Sequence, residues 1–277
     1  MAATVRPTES AQLVLQEADS FLRSDPVRHN VILTLLHKRV ANPSPGRYWV
    51  VDLDGRTAGV AFQSPLDFPA TVTPMPREAA TATVDAIVDQ RVRLPGVNGE
   101  AATTARFAGH WTERTKSAAR PVQGQRIYEV DVVRPGAPVS GRVRPGRDAD
   151  RELLVRWFED FGAATGGSSG DAAEVVDLRL AAGQLWVWDD DGPMAMAGLS
   201  AEVAGVVRVG PVYTPPERRG RGYASALVGA TSGAVRAQGH RCILYTDLGN
   251  PTSNGIYRAL GYLAVEEALK YMFDDPR

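Results

Sequence analysis

The sequence predicts an α/β (α+β) protein that is built from two similar halves. Its 277 residues exceed the length of one typical domain. The segment from Trp49 to Gly55 resembles the segment from Trp186 to Gly192, and both read Trp-Val-x-Asp-x-Asp-Gly. Apolar runs typical of strands also alternate along the chain with segments of helical periodicity.

The first half is predicted to contain a β-hairpin, a helix and a closing strand. Asp54-Gly55 is typical of a hairpin turn, and the apolar run 57–62 follows it. The last strand of this half is predicted over 125–133. The helical spacing that predicts the helix is carried by Ala80, Val84, Ile87 and Val88.

Residues 133–142 separate the halves, because their prolines and glycines cannot continue a helix or a central strand. We therefore predict domains at 1–135 and 141–277. The second half opens with a helix and then a glycine-rich loop, 164–171, which is either a plain linker or a lid over a substrate. The helix is predicted from the spacing of Leu154, Trp157, Phe158 and Phe161.

A strand, a basic glycine-containing turn and a helix follow one another in the second half. Residues 206–213 are typical of a strand, and apolar residues recur at helical spacing from Leu227 to Val235. The first N–H groups of a helix have no internal partner, and the helix dipole makes this end positive. Gly220 and Gly222 in the turn would let a pyrophosphate approach the backbone closely. The pattern indicates a phosphate site, although an ordinary turn with solvated arginines has the same composition.

The turn also carries a recognisable motif. Arg219-x-x-Gly222-x-Ala224 resembles the acetyl-CoA pyrophosphate loop of the GNAT N-acetyltransferase superfamily, which is written Gln/Arg-x-x-Gly-x-Gly/Ala. The turn lacks the Lys-Ser/Thr ending of a Walker loop and the three-glycine spacing of a dinucleotide fingerprint.

A second motif lies one helix and one strand further along. The segment from Asn250 to Tyr262 is similar to the Asn-x-x-Ala-x-x-Leu-Tyr-x-x-x-Gly-Phe segment of the same superfamily. It departs from that pattern only conservatively, at Ser253, Ile256 and Tyr262. The resemblance implies a tandem protein in which each copy is a mixed, mostly antiparallel twisted sheet flanked by helices.

The resemblance also implies a role for each matched residue. Acetyl-CoA would be the co-substrate, and a primary amine of a small molecule or peptide would attack its thioester directly. Tyr257 would protonate the departing thiolate, although a buried structural tyrosine is the alternative. The implied cofactor-binding residues are Val212, Tyr213 and Thr214 on the strand, Arg219, Gly220, Arg221, Gly222, Tyr223 and Ala224 in the loop, and Asn250 and Ser253 beyond it.

The general base is less clearly indicated. Many relatives place a Glu on the strand before the loop, whereas this strand carries Arg208 and no carboxylate. Asp247, at the end of the next strand, is the candidate. It could equally be a turn carboxylate that stabilises local backbone, and a relay through water fits as well. The missing Glu keeps open a second function, that of a non-catalytic acyl-CoA-binding sensor or assembly module.

The first half lacks the features of the anion site. When the halves are aligned through Thr73–Arg77 and Thr214–Arg218, Arg219 meets Glu78, Gly220 meets Ala79 and Gly222 meets Thr81. A carboxylate would repel a pyrophosphate, and Cβ atoms would obstruct its approach. We therefore expect only the second half to bind acetyl-CoA, with a degenerate N-terminal copy.

Composition narrows the remaining function classes. A net charge of −1 argues against bulk electrostatic binding to nucleic acid. No apolar stretch of the sequence is long enough to cross a membrane, and its first residues lack the apolar core expected of a signal peptide. It has one cysteine, and its four histidines lack metal-ligand spacing. The sequence thus predicts a cytoplasmic protein without metal, acting as a monomer with a built-in pseudo-dimer or as a homodimer.

Overall fold

The computed structural model describes residues 3–165 and 171–274. Most of the glycine-rich loop predicted at 164–171 therefore lies outside the described residues. The chain divides into two compact units. The first contains Met1–Ile127, Asp247–Gly249 and Val265–Arg277, and the second contains Tyr128–Thr246 and Asn250–Ala264.

The same order of helices and strands occurs twice along the chain. The first series is β1 (Ala3–Thr8), α1 (Ala11–Ser24), α2 (Asn30–Ala41), β2 (Arg47–Leu53), β3 (Arg56–Gln63), β4 (Ala70–Val72), α3 (Arg77–Asp89), β5 (Gly96–Glu100), α4 (Ala101–Thr115) and β6 (Ala119–Val130). The second series is β7 (Arg142–Pro145), α5 (Arg151–Thr165), α6 (Ala172–Ala181), β8 (Leu185–Asp189), β9 (Pro193–Leu199), β10 (Val206–Tyr213), α7 (Tyr223–Ala237), β11 (Arg241–Asp247), α8 (Pro251–Ala259) and β12 (Leu263–Phe273). This repetition confirms the predicted α/β fold class.

Each unit contains a mixed sheet. Among the strand pairs described below, one pair in each unit runs parallel and the others run antiparallel. In the first unit the strand order is β1-β2-β3-β4-β5-β12, and only β4 and β5 run parallel. In the second unit the order from β7 is β7-β8-β9-β10-β11, with β10 and β11 parallel. Next to β11 comes β6, whose last residues, 128–130, cluster with this unit.

The last strand of the chain belongs to the first unit. β12 pairs antiparallel with β5, from Ala268 opposite Glu100 to Met272 opposite Gly96. The proposed domain ranges, 1–135 and 141–277, follow the order of the chain, whereas the first compact unit also includes Asp247–Gly249 and Val265–Arg277.

Both predicted hairpin turns adopt left-handed backbone. Asp54 and Gly55 have φ values of 48° and 79°, and Asp191 and Gly192 have values of 54° and 123°. Asp and Gly tolerate positive φ better than most residues, so these turn sequences specify their hairpins locally.

Helices cover both faces of the sheet in the second unit. Val187 packs with α5 and α6, whereas its neighbour Trp188 packs with α7. Met196 and Ala197 of β9 alternate in the same way. Because successive side chains of a strand point to opposite faces, α5 and α6 cover one face and α7 covers the other.

None of the helices in the described ranges has the length and apolar character that a membrane span requires.

A half-buried carboxylate in the first unit makes its stability depend on pH. Burial raises the pKa of Glu266 from its ordinary value of 4.5 to about 7, against the opposing charge of Arg28. The negative charges of Glu100 and Asp25 add to the rise. At low pH Glu266 is uncharged in the folded protein. As pH rises, burial makes its ionisation less favourable in the folded state than in the unfolded state.

We therefore expect the free energy of unfolding to fall as pH rises from about 4.5 to 7. Solvent screens a half-buried group, so the loss should be about 2 kcal/mol. Glu266→Gln should remove this slope, as measured by urea denaturation at several pH values. Glu267→Gln, on the exposed next residue, is the control. An unchanged slope in Glu266→Gln would contradict the assignment.

Candidate functional site

Strand β10 separates from its parallel neighbour halfway along its length. Its register with β11 runs from Val206 opposite Arg241 to Val209 opposite Leu244. The pairing with β9 is irregular between Val209 and Val212, and Pro211 has no N–H to donate. Gly210 and Pro211 favour such an interruption of the pairing, and it opens one edge of β10.

The open edge contains three residues predicted to bind the cofactor. Val212 and Tyr213 stay paired with Ala197 and Met196 of β9. Backbone groups of successive residues alternate in direction, so part of the N–H and C=O set faces the open side. The hydroxyl oxygen of Thr214 is buried without a hydrogen-bond partner in the described structure, which marks it as available to a ligand.

The predicted anion loop forms the start of α7. A short 3₁₀ turn at Pro216–Arg218 leads to Gly220 and Gly222, whose φ values are 77° and 83°. The first hydrogen bond of the helix runs from Ala226 N–H to Gly222 O, at 2.9 Å. In the part of the chain that the structure describes, the amides of 220–225 have no protein acceptor, and no side chain caps the helix.

The two glycines differ in their surroundings. A Cβ on Gly220 would meet no atom within 4 Å, whereas one on Gly222 would lie 2.9 Å from a methyl carbon of Val139. The space above Gly220 is therefore open, and that beside Gly222 is shared with the linker between the halves.

Side chains of the loop stabilise its shape and add positive charge. Arg219 donates through Nε to the carbonyl oxygen of Thr214 at 3.0 Å, and both Arg219 and Arg221 are exposed. The Tyr223 hydroxyl donates to Asp190 at 2.7 Å. Hydrogen bonds from Ser140 and Tyr223, together with the Arg221 charge, lower the pKa of Asp190. The Tyr223 side chain thus hydrogen-bonds to Asp190. Its backbone amide has no protein acceptor and can therefore donate to a ligand.

Tyr257 lies on α8 within the apolar cluster between α7, α8 and the sheet. Its ring centroid is 6.4 Å from that of Tyr128 and 5.9 Å from that of Tyr262. Burial raises the pKa of Tyr257 to about 12, partly offset by a hydrogen bond with the Ser253 hydroxyl. The phenol is therefore protonated throughout the neutral range.

Asn250 and Asp247 both stabilise backbone close to themselves. Asn250 is the N-cap of α8 and accepts a hydrogen bond from the Ser253 N–H at 3.0 Å. Asp247 is exposed and accepts one from the Gly249 N–H at 2.6 Å. Asp247 therefore acts as a turn carboxylate that stabilises local backbone, which is the alternative that the sequence left open. Asp247 clusters with the first unit and Tyr257 with the second, so their cooperation stays a prediction.

The structure adds a carboxylate that the sequence did not single out. The Tyr213 hydroxyl donates to Asp160 of α5 at 3.1 Å. Burial raises the pKa of Tyr213, and the Asp160 contact raises it further. In the sequence, Asp160 is only an acidic residue within an amphipathic helix, and its contact with β10 depends on how α5 packs.

The described residues of the first unit form neither the loop nor the gap. α3 begins at Arg77, so the residues aligned with the anion loop lie inside a helix, and Ala79 and Ala80 at its start are fully buried. The register of β4 with β5 extends over all three β4 residues, Ala70–Val72. These features support the prediction that only the second half can hold a CoA ester.

No cluster of His, Cys, Asp or Glu in the described ranges could hold a metal ion.

Comparisons with known proteins agree with this architecture. The sequence model of the FR47-like protein family matches residues 193–271, which extend from β9 into β12 and include the anion loop and Tyr257. Among proteins with curated descriptions, none matches the sequence significantly.

Several solved structures share the fold along the whole chain. A GNAT-family acetyltransferase from Colwellia psychrerythraea is 10% identical, with 98% of this chain and 100% of that chain covered and a TM-score of 0.64. A GCN5-related N-acetyltransferase from Sphaerobacter thermophilus is 18% identical, with coverage of 99% and 96% and a TM-score of 0.65. A tandem GNAT protein from the clavulanic acid biosynthesis pathway is 11% identical, with coverage of 100% and 99% and a TM-score of 0.58. The comparisons thus show that this chain has the fold of these GNAT acetyltransferase structures and that its residues 193–271 resemble the FR47-like family.

Proposed function

We propose that the protein is an N-acetyltransferase that moves an acetyl group from acetyl-CoA to a primary amine of a small molecule or peptide. The observation that carries the proposal is the row of amides at 220–225, which have no protein acceptor and lie at the positive end of α7. A chain that leaves so many donors together at a helix start is suited to bind a diphosphate.

The residues of the second unit fit acetyl-CoA in both charge and shape. Arg219 and Arg221 would add charge beside the diphosphate, and the open side of Gly220 leaves room for its oxygens. The pantetheine amides would pair with the open edge of β10 as a peptide strand does. The buried Thr214 hydroxyl offers a further hydrogen bond there.

Bound acetyl-CoA would supply an activated acyl group as a thioester. Backbone N–H groups of 212–214 would stabilise the negative charge that develops on the acyl oxygen. Tyr257 would donate a hydrogen bond to the departing sulfur. Since its pKa of about 12 exceeds that of a thiol near 8.5, complete transfer of the phenol proton is unfavourable. We therefore assign Tyr257 mainly to hydrogen-bond donation.

Tyr257→Phe tests that role. We expect kcat to fall about 30-fold, because a hydrogen bond to a charged leaving group contributes about 2 kcal/mol. The dissociation constant of acetyl-CoA should stay unchanged, since the diphosphate is held elsewhere. Tyr128→Phe removes the hydroxyl of a neighbouring ring, which donates to Asn254 of the same helix α8, and serves as the control for packing. Equal losses in both variants would assign Tyr257 a packing role.

The attacking amine must lose a proton before or during attack. We propose Asp247 as the acceptor of this proton, with water as the carrier. Asp160, beside Tyr213, is the other carboxylate to compare. Asp247→Asn and Asp160→Asn should be measured as pH profiles of kcat/KM. If only the second variant loses the ascending limb of the profile, the base is Asp160.

One observation favours a second candidate function, a non-catalytic acyl-CoA-binding module. β10 carries no carboxylate, and the Asp247 carboxylate is already engaged by the Gly249 N–H. A calorimetric titration with acetyl-CoA followed by turnover assays with a panel of primary amines separates the two functions. Binding without turnover on any amine would support the module, and no binding of any CoA ester would overturn both.

A further inference from the structure

A half-buried arginine lies against the point where β10 and β11 separate. Arg179 of α6 donates through Nη1 to the carbonyl oxygen of Gly210 at 3.1 Å. Its guanidinium carbon lies 5.6 Å from the centroid of the Phe158 ring. Gly210 directly follows the last residue of β10 that is paired with β11. The guanidinium therefore lies where the proposed thioester of acetyl-CoA and the amine of the acceptor would react.

The backbone makes room for this guanidinium. Gly198 of β9 lies beneath it, and a Cβ at that position would overlap with Arg179 Nη1. The same Cβ would also lie 2.8 Å from the Gly210 oxygen. A glycine in the interior of a strand often marks a close approach by another group. Here that group is the guanidinium of Arg179, which extends from α6 over β9 to Gly210 of β10.

No carboxylate neutralises Arg179 in the described structure. None of the ion pairs among the described residues includes it. Burial lowers the pKa of Arg179, and the positive charge of Arg208 lowers it further. Arg208 itself lies over the Tyr245 ring, 5.6 Å from its centroid. A half-buried cation beside a second cation is costly unless an anion accompanies it.

The planar shape of the Arg179 guanidinium favours some anions over others. Phe158 lies close to the guanidinium, and one N–H is engaged by Gly210. The remaining donors lie in the guanidinium plane, where a planar carboxylate can accept two parallel hydrogen bonds.

We propose that the amine acceptor carries a carboxylate and that Arg179 binds it, so that the substrate class is amino acids or other aminocarboxylates. This inference rests on the proposed acetyltransferase function. Arg208 is close enough to add positive charge near Arg179, and the absence of a side chain at Gly198 leaves room for the guanidinium.

The test compares matched acceptors that differ only in the carboxylate. Amino acids are assayed beside their decarboxylated amines, such as glycine with methylamine and lysine with cadaverine. For the best acceptor pair, the wild-type kcat/KM should favour the amino acid. Arg179→Met should lower that value about 30-fold through KM, because hydrogen bonds to charged groups contribute about 2 kcal/mol. The value for the decarboxylated amine and the affinity for acetyl-CoA should hardly change.

Two further variants guard against misfolding and nonspecific effects. Arg179→Lys keeps the charge but lacks the planar fork of donors, so it should recover only part of the preference for the amino acid. Arg156→Met removes an exposed arginine of α5 and should change nothing. If Arg179 only supported the β10 irregularity, Arg179→Met would instead weaken acetyl-CoA binding and lower kcat/KM for both acceptors equally. That result would overturn the inference.

The remaining outcomes are also decisive. A wild-type preference for the decarboxylated amines, or for phosphoethanolamine over β-alanine, would refute a carboxylate site. If the protein takes up no acetyl-CoA, the proposed function fails. Direct calorimetric binding of amino acids and their decarboxylated amines to the wild type and Arg179→Met then still decides whether Arg179 binds carboxylates.

Discussion

Gly220→Glu is expected to abolish acetyl-CoA binding. The new carboxylate would stand at the start of α7, among the amides that are proposed to hold the diphosphate. Two negative charges about 4 Å apart near a protein surface repel by about 4 kcal/mol, so the dissociation constant should rise about 100-fold or more. Isothermal titration calorimetry with acetyl-CoA measures this change directly.

The other end of the same helix offers a matched control. Gly239 follows α7, has a φ of 82° against 77° for Gly220, and also has no atom within 4 Å of a built Cβ. Gly239→Glu therefore introduces the same strain and the same charge away from the amides. Its acetyl-CoA affinity should match the wild type.

The first unit supplies the reciprocal experiment. Glu78 aligns with Arg219 but lies in the first turn of α3, beside the buried Ala79. Glu78→Ala should leave acetyl-CoA affinity unaltered. If it changed binding as much as Gly220→Glu does, the assignment of one competent half would be wrong.

Arg144→Met is expected to destabilise the second unit by about 3 kcal/mol, because removing one partner of a buried ion pair leaves an uncompensated charge. Arg144 of β7 donates to Asp150 at 2.6 and 3.0 Å and also pairs with Asp189. Burial by itself would raise the pKa of Asp150, but hydrogen bonds from Arg144 and from the Arg147 N–H outweigh it and lower that pKa. Asp150 is therefore charged when folded and depends on Arg144.

Urea denaturation followed by tryptophan fluorescence measures the loss, since Trp157, Trp186 and Trp188 all lie in this unit. Arg151→Met is the control, because the Arg151–Asp177 pair is exposed and should contribute little. As pH falls below the ordinary Asp value near 3.8, the wild type should lose this contribution and approach the variant. Equal midpoints for the two variants at neutral pH would show that the Arg144 cluster is not stabilising.

Local sequence determines much of what the structure contains. β10 was predicted at 206–213 and is found at Val206–Tyr213, and the first β-hairpin turns at Asp54 and Gly55 as predicted. The anion loop could also be recognised, because its glycines and the uncapped helix start follow from backbone chemistry within a few residues. Gly210 and Pro211 likewise favour the break in pairing through local backbone chemistry.

Contacts between residues distant in sequence could not be predicted in this way. The assignment of β12 to the first unit depends on its pairing with β5. Every residue other than proline offers the same backbone donor and acceptor, so the side-chain sequence does not reveal which strands pair. The Asp160 contact with Tyr213 and the position of Arg179 over Gly198 depend on how α5 and α6 pack on the sheet. The sequence alone therefore determined the hairpin turns, strand β10 and the glycine-containing loop at the start of α7. Only the tertiary structure decided which strands complete each sheet and which charges face the site, because those depend on three-dimensional packing rather than local backbone preference.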